Sequence, residues 1–249
     1  MKVIAIIPAR LGSTRLPRKV LRQIHGKSLI QRVYEQVSSC LVIDELVVAV
    51  DHQEVFEHVL SFGGNAIMTD PGLLSGTDRC AEVSSQFSDY PLVINVQGDE
   101  PFISHQELEI VVNLLKNMDA DIASLMVKIT EQEQIHNPNV VKLVCNHSAE
   151  AMYFSRAAIP FNRSESTLNW SEHHDYWRHI GVYGFKREVL LELCKLPESQ
   201  YEKIEKLEQL RWLEAGYKIK MGVCHYHGIG IDTEADLELA EKMLSKLII

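Results

Sequence analysis

Apolar positions in the first half of the chain follow two alternating patterns. Continuous apolar runs in "VIAIIP", "ELVVAVD", "NAIMT" and "PLVINVQGDEP" predict strands covered on both faces. Between them, "SLIQRVYEQVSSC" repeats Leu29, Ile30, Val33, Tyr34 and Val37 at helical spacing behind an N-cap at Ser28. "HQEVFEHVLSFGG" is a helix stopped by Gly63 and Gly64, and "GTDRCAEVSSQF" begins another. "SHQELEIVVNLLKN" carries Ser104 and Glu107 at the spacing of a capping box. This alternation predicts an α/β fold built on a doubly wound, mostly parallel sheet.

The rhythm changes after about residue 120. "DIASLMVKI", "NVVKLVCN", "AMYFSR" and "HIGVYGFK" are strand-like pieces without long helices between them. They predict an antiparallel lobe, roughly within residues 120–190, inserted into the sheet or laid across it. "YEKIEKLEQLRWLEAG" reads as one amphipathic helix ended by Gly216, "KIKMGVCHYHG" as a strand, and "TEADLELAEKMLSKL" as a capped helix starting at Thr233. With no internal repeat, low-complexity tract or flexible linker, residues 1–249 read as one domain carrying a lobe.

Composition adds an ordinary soluble balance, 46% hydrophobic and 24% charged. The net charge of −9, from 25 basic and 34 acidic residues, argues against a nucleic-acid partner. No apolar run is long enough to cross a bilayer, and the N-terminus reads as a core strand rather than a targeting segment. The expectation is a cytoplasmic chain with no membrane partner. Its five scattered cysteines lack any C-x-x-C pair and read as reduced, mostly buried thiols.

Against that acidic background, "IIPARLGSTRLPRK" gathers Arg10, Arg15, Arg18 and Lys19 at the mouth of the first strand. In open α/β sheets this is where ligands bind. The loop is neither a P-loop nor G-x-G-x-x-G. It has the parts of a polyphosphate cradle: Gly12 and Ser13 for backbone N–H approach, Arg10 and Arg15 for forked hydrogen bonds, and Lys19 as a point charge. The competing reading is a solvated basic loop, which clustered charge at a strand's carboxyl end disfavours.

"VINVQGDEP" ends in Gln97, Gly98, Asp99 and Glu100. A carboxylate at a strand end beside a phosphate cradle suits Mg²⁺, although Gly-Asp alone reads equally as a turn. Asp232, in "GIGIDTEAD", is either a helix-entry acid or a second metal ligand. "CHYH" (residues 224–227) with His173 and His174 suggests zinc, but a structural zinc site wants paired ligands with several cysteines, and no second cysteine pair exists. A nucleotide-binding regulator would keep the loop and lose the carboxylates; both acids are present, which favours an enzyme.

These stretches, together with "SGTDR", "NPNVVKLV", "YFSRAAIPF", "RHIGVYGF", "EKLEQLRWLEAG" and "IDTEADLE", run nearly end to end. They resemble the 3-deoxy-manno-octulosonate cytidylyltransferase family of the sugar nucleotidyltransferase superfamily. One departure stands out: the family usually has Pro-Gly-Lys-Pro where this chain has Pro17-Arg18-Lys19-Val20. Lys19 is kept, while the exchange adds a cation and alters loop stiffness.

The resemblance implies a nucleotide-diphospho-sugar transferase-like fold. It implies a Mg²⁺-dependent reaction in which CTP and the sugar acid Kdo give CMP-Kdo and pyrophosphate, for lipopolysaccharide biosynthesis. A related acid, amino-substituted or sialic-acid-like, is the alternative substrate. Carried over by motif position, Arg10, Ser13 and Lys19 hold the triphosphate, while Ser75, Gly76, Arg79 and Gln97 line the nucleotide pocket. Asp99 and Asp232 bind the metal and, with Arg10 and Lys19, form the implied catalytic set. Arg15 and Arg156 meet the sugar carboxylate; His179, Tyr183, Glu208 and Gln209 bond its hydroxyls. Without the resemblance, "EKLEQLR" is simply a helix turning Leu207 and Leu210 to the core, and His179 a strand histidine. The resemblance also implies a homodimer through the antiparallel lobe.

Overall fold

The computed structural model describes residues 1–13, 15–117, 120–166, 169–226 and 228–247. Strand β1 (Val3–Ala9) leads through a 3-10 turn (Lys19–Leu21) and a small hairpin, β2 (Gln23–Ile24) with β3 (Lys27–Ser28), to helix α1 (Leu29–Ser38). The alternation continues with β4 (Glu45–Val50), α2 (Gln53–Ser61), β5 (Ala66–Met68), α3 (Gly76–Ser84), β6 (Leu92–Asn95) and α4 (His105–Asn117). Then come β7 (Ile122–Lys128), α5 (Gln132–His136), β8 (Lys142–Cys145), β9 (Ala151–Ser155), α6 (Trp170–His173) and β10 (Trp177–Lys186). The chain closes with α7 (Arg187–Leu193), α8 (Gln200–Glu205), α9 (Gln209–Glu214), β11 (Ile219–Val223) and α10 (Glu234–Leu247).

The main sheet has the order β11-β7-β10-β6-β1-β4-β5. β1 pairs in parallel with β4 and β6, β4 with β5, and β11 with β7, whereas β10 runs antiparallel to both β6 and β7. The expected antiparallel region consists of β8 and β9, attached to the sheet through β8 and the first residues of β10. β7, which the sequence groups with that region, is a member of the main sheet.

Alternation along β1 shows why its run is continuously apolar. Val3, Ala5 and Ile7 face a core shared with Val33 and Val37 of α1, Val55 and Val59 of α2, and Leu108 and Val111 of α4. Ile4 and Ile6 face the opposite core with Cys80 and Val83 of α3, Leu190 and Leu193 of α7, and Trp212 of α9. Helices therefore cover both faces, as a parallel sheet requires.

A third, smaller cluster has more bearing on function. Leu16 of the basic loop, Ile24 and Leu29 of the hairpin region, and Ile231, Leu237 and Ala240 at the chain's end pack together. Arg22 pairs with Glu234, and His25 Nε2 meets the Glu241 carbonyl at 2.9 Å. The C-terminal helix is thus fastened to the loop that follows β1.

Three local expectations need correction. The single helix expected over residues 201–216 is broken between α8 and α9, with Lys206 in the left-handed region at φ 54°. The strand expected through "CHYHG" ends at Val223, and His227 lies outside the described residues. At the start of α4 only half a capping box forms. Glu107 accepts from the Ser104 N–H at 3.0 Å and from its hydroxyl, so the serine side chain donates instead of accepting. The caps at Ser28 and Thr233 form as expected, accepting from Gln31 N–H and Asp236 N–H. All five cysteines are free, with Cys40, Cys80 and Cys224 buried and Cys145 and Cys194 half-buried.

Gly184 of β10 lies directly under α4, where an added Cβ would stand 2.5 Å from Val111 Cγ1 and 2.8 Å from Leu115 Cδ1. Val111 is β-branched on a helix and cannot turn aside. Gly184→Ala is expected to destabilise the protein by about 1–3 kcal/mol through overpacking, read as a lowered urea midpoint with unchanged slope.

Candidate active site

A cavity of about 300 Å³ opens at the carboxyl ends of β1 and β6. The sequence-predicted residues Arg10, Ser13, Arg15 and Lys19 reach it from the loop after β1. Ser75, Gly76 and Arg79 reach it from the start of α3, Gln97 and Asp99 from the end of β6, and Asp232 from the segment before α10. Gly98 makes the close approach of strand ends possible: a Cβ there would meet the Pro8 carbonyl at 3.0 Å. Gly12 is different, since its surroundings are open and its φ is not positive. The backbone does not need glycine at that position.

Lys19 organises the floor of the cavity. Its ammonium donates to Asp99 Oδ2 at 2.6 Å and to Asp232 Oδ1 at 2.9 Å, and Arg15 Nη2 pairs with Asp232 Oδ2 at 3.0 Å. Burial works against the charged ammonium, but the two carboxylates outweigh it and hold its pKa above the ordinary lysine value. Ile231 N–H donates to the Asp99 carbonyl at 3.0 Å, which fixes the two acidic segments side by side. Two carboxylates that converge on one cation within 3 Å offer hard oxygen donors of the kind Mg²⁺ takes, with phosphate oxygens and water completing its shell. The donor set therefore fits the metal expected from the sequence.

Arg18 sits in the left-handed region at φ 56° and pairs with Glu54 of α2. Val20 is buried in the main core. The left-handed backbone explains why glycine suits position 18, and it leaves Lys19 pointing inward beside an arginine that points outward.

The start of α3 forms the opposite wall. Ser75 caps the helix in a complete capping box with Asp78. The buried guanidinium of Arg79 donates to Thr69 Oγ1 at 2.6 Å and to the Asp70 carbonyl at 3.1 Å. Arg79 therefore lines the cavity while bracing its wall. Gln97 Nε2 donates to Asn95 Oδ1 at 3.0 Å, which fixes the amide with its oxygen toward Gly76. Asn95 is fully buried, and its Nδ2 has no hydrogen-bond partner among the described residues. The sequence reading missed Asn95, whose signal was a polar residue inside an apolar strand.

The expected sugar-side residues lie behind this wall, apart from Arg15, which lines the cavity. Thr77 Oγ1 donates to Glu208 Oε2 at 2.6 Å. Burial raises the Glu208 pKa, opposed by the hydrogen bonds from Thr77 and Ser75. Burial also raises Tyr183, with the Glu208 charge adding to it. His179 meets Ser124 Oγ at 2.9 Å and packs edge-on to Phe154, and burial pushes its pKa down to about 3. It is therefore a neutral imidazole. Gln209 is buried at the start of α9.

Arg156 stands apart from the residues that line the cavity. Its Nε donates to the Glu205 carbonyl at 2.8 Å and its Nη1 to the Pro138 carbonyl at 3.1 Å. Glu205 in turn accepts from Ser155 Oγ at 2.6 Å and from the Arg156 N–H at 2.9 Å. In this arrangement Arg156 clamps the break between α8 and α9, and that break aims Glu208 at Thr77. Its guanidinium is engaged with backbone carbonyls rather than held open for a carboxylate.

Glu100 and Tyr226 are further residues the sequence reading passed over. The Tyr226 hydroxyl donates to Glu100, whose pKa burial and the Asp99 charge push up to about 7. The contact ties the segment leading to Asp232 onto the turn that carries Asp99.

A family model described as cytidylyltransferase matches residues 4–219. A 3-deoxy-manno-octulosonate cytidylyltransferase of Bacteroides thetaiotaomicron is 45% identical over 248 residues, 98% of each chain. One from Phocaeicola vulgatus is 44% identical over 250 residues, 99% of this chain and 98% of that one. Among solved structures, a CMP:2-keto-3-deoxy-manno-octonic acid synthetase complexed with CTP is similar at TM-score 0.91 and 38% identity, over 99% of both chains. A 4-diphosphocytidyl-2C-methyl-D-erythritol synthase from Anaerococcus prevotii shares the fold at TM-score 0.65 and 16% identity, over 98% of both chains.

The His179 environment gives a pH test. Its folded pKa is depressed from 6.5 to about 3, so the stabilisation is fully present above 6.5 and is lost as pH falls toward 3. Wild type is expected to lose stability between pH 6 and pH 4 more steeply than His179→Gln, by up to about 1.4 kcal/mol per pH unit. Parallel denaturation curves for the two proteins across that window would contradict the buried neutral imidazole.

Proposed function

The chain belongs to the cytidylyltransferase family, and on that premise we propose that it couples CTP with 3-deoxy-manno-octulosonate to give the CMP-sugar and pyrophosphate. The observation that carries this reading is the cavity floor, where one cation joins Asp99 and Asp232 beneath a rim bearing Arg10 and Arg15. The names of the relatives supply the substrates.

In the proposed reaction the anomeric hydroxyl of the sugar attacks the α-phosphorus of CTP in line. A new phosphorus–oxygen bond forms as the bond to the β-phosphate oxygen breaks, and pyrophosphate carries away the electron pair. Such transfers depend on positioning and charge stabilisation. Arg10, Ser13 and Lys19 hold the triphosphate, with Lys19 neutralising charge that grows on the phosphoryl oxygens. Ser75, Gly76 and Gln97 shape the nucleoside pocket, and Arg79 braces it. Arg15 meets the sugar carboxylate. Glu208, Tyr183, His179 and Gln209 supply acceptors and donors for the hydroxyls, with His179 neutral and Tyr183 protonated at working pH.

Asp99 and Asp232 would hold Mg²⁺. When bound, the ion would neutralise phosphate charge and lower the pKa of the attacking hydroxyl. The biological setting proposed is the cytoplasm, with the product consumed in lipopolysaccharide assembly. No helix among the described residues is long and apolar enough to cross a membrane.

A homodimer through the antiparallel lobe completes the proposal. Met152 of β9 supports it as a large apolar side chain of that lobe, 63% exposed. Sedimentation at twice the 28.3 kDa chain mass is the expected result, and a monomer at micromolar concentration would remove this part.

Pyrophosphate release from CTP, strictly dependent on added sugar acid and Mg²⁺, tests the reading. Turnover with Kdo should exceed that with nine-carbon and amino-substituted acids. Asp99→Asn is expected to lower kcat by about 100-fold or more, because a metal ligand contributes several kcal/mol. Its melting temperature should stay close to that of the parent. Near-normal turnover in Asp99→Asn would defeat the metal assignment.

A further inference from the structure

Asp51 stands at the end of β4 and belongs to no role described so far. Both of its carboxylate oxygens are engaged. Oδ1 accepts the backbone N–H of Leu11 at 2.9 Å, and Oδ2 faces Arg79 Nη2 at 3.5 Å. The two charged side chains are nearly withdrawn from solvent, 14% exposed for Asp51 and 4% for Arg79. Leu11 opens the basic loop directly after Arg10. Arg79 carries the connection onward to Thr69 Oγ1, the Asp70 carbonyl and the Leu73 carbonyl, while Thr69 Oγ1 itself donates to the Val50 carbonyl. One carboxylate therefore joins the strand end at residue 51, the loop that bears Arg10, and the 69–74 loop on the far side of the cavity.

Such a carboxylate is costly to bury unless its charge and hydrogen bonds are answered, and here both are. The link is also directional. Oδ1 meets the first loop directly, and Oδ2 reaches the second through Arg79 of α3, so drift of either loop strands a buried polar contact.

We infer that Asp51 is a positioning residue that locks the anion loop and the 69–74 loop at a fixed separation around the nucleoside triphosphate. The inference rests on the proposed nucleotidyl transfer and deepens it. Asp51 acts through Leu11 and Arg79 and has no role toward the sugar acid. Its removal should weaken CTP selectively.

The test uses the full chain and two variants. In Asp51→Ala both links are lost, whereas Asp51→Asn keeps an acceptor for the Leu11 N–H and loses the charge that answers Arg79. Asp51→Ala is expected to raise the KM for CTP about tenfold or more, the scale of losing a charged hydrogen bond. The KM for Kdo should move less than twofold. A merely destabilised protein would show a smaller active fraction with both KM values unchanged.

Hydrogen exchange without any substrate separates the two links. Asp51→Ala should exchange faster in both segments 10–16 and 69–74, and Asp51→Asn in 69–74 alone. If Asp51→Ala does not fold, the near-isosteric Asp51→Asn carries the test through its 69–74 exchange and a weakened calorimetric Kd for CTP. Unchanged CTP affinity in folded Asp51→Asn with unchanged exchange in 69–74 would overturn the inference, as would equal rises in both KM values. If wild type binds CTP but releases no pyrophosphate with Kdo, the proposed reaction fails, and the exchange and calorimetric results still decide the role of Asp51.

Discussion

The site depends on a single ammonium. Asp99 and Asp232 come from distant parts of the chain, and two carboxylates that close would repel unless one took up a proton or a cation stood between them. Lys19 is that cation, bonded to both. Its placement depends in turn on the apolar cluster in which Leu16 of the basic loop packs with Ile231 and Leu237 from the far end of the chain. Hydrophobic packing supplies the closure and electrostatics the final alignment. The same few residues that make a cation necessary in the bare protein form the natural seat for a metal when phosphate arrives.

A second long-range arrangement supports the cavity wall. The amphipathic pattern from 201 to 216 favours one helix, yet Arg156 and Glu205 hold the chain open at Lys206 through contacts about fifty residues apart in sequence. A left-handed non-glycine residue costs about 1–2 kcal/mol, and several hydrogen bonds to charged groups are enough to offset that. Without the break, α9 would start elsewhere and Glu208 would not reach Thr77. Tertiary contact overrides local propensity here in order to deliver a polar side chain to the site.

These two arrangements mark the boundary of what the sequence discloses. Strand and helix alternation in the first half was legible because period-2 and period-3.6 patterns are local, and Ser28 and Thr233 announced their caps. The basic loop was legible as unusual charge at a strand end, whereas Asp99 and Asp232 read equally as a turn residue and a helix-entry acid until the family resemblance paired them. The break at Lys206 was not, since no residue within 201–216 signals it and its cause lies at 155 and 156. Arg156 could be assigned to a ligand from its motif, but its engagement with the 138 and 205 carbonyls is visible only in three dimensions. Asp51 and Leu16 were equally silent. Each is an ordinary residue type whose importance comes from a distant partner.

The departure at Pro17-Arg18-Lys19-Val20 can be weighed in the same terms. Arg18 keeps the left-handed backbone that glycine would adopt freely, and its side chain answers Glu54 on the outer surface. An exposed ion pair contributes about 0–1 kcal/mol, so it offsets part of the backbone strain. What the exchange adds is charge. The chain carries −9 overall, which repels a polyanion at long range, but at physiological ionic strength charges beyond about 8 Å are largely screened. An incoming triphosphate therefore responds to the cations that line the cavity, Arg10, Arg15 and Lys19, not to the net charge. With Lys19 committed to two carboxylates, the additional guanidinium one residue away is turned outward onto Glu54 and leaves the cation that organises the cavity floor undisturbed.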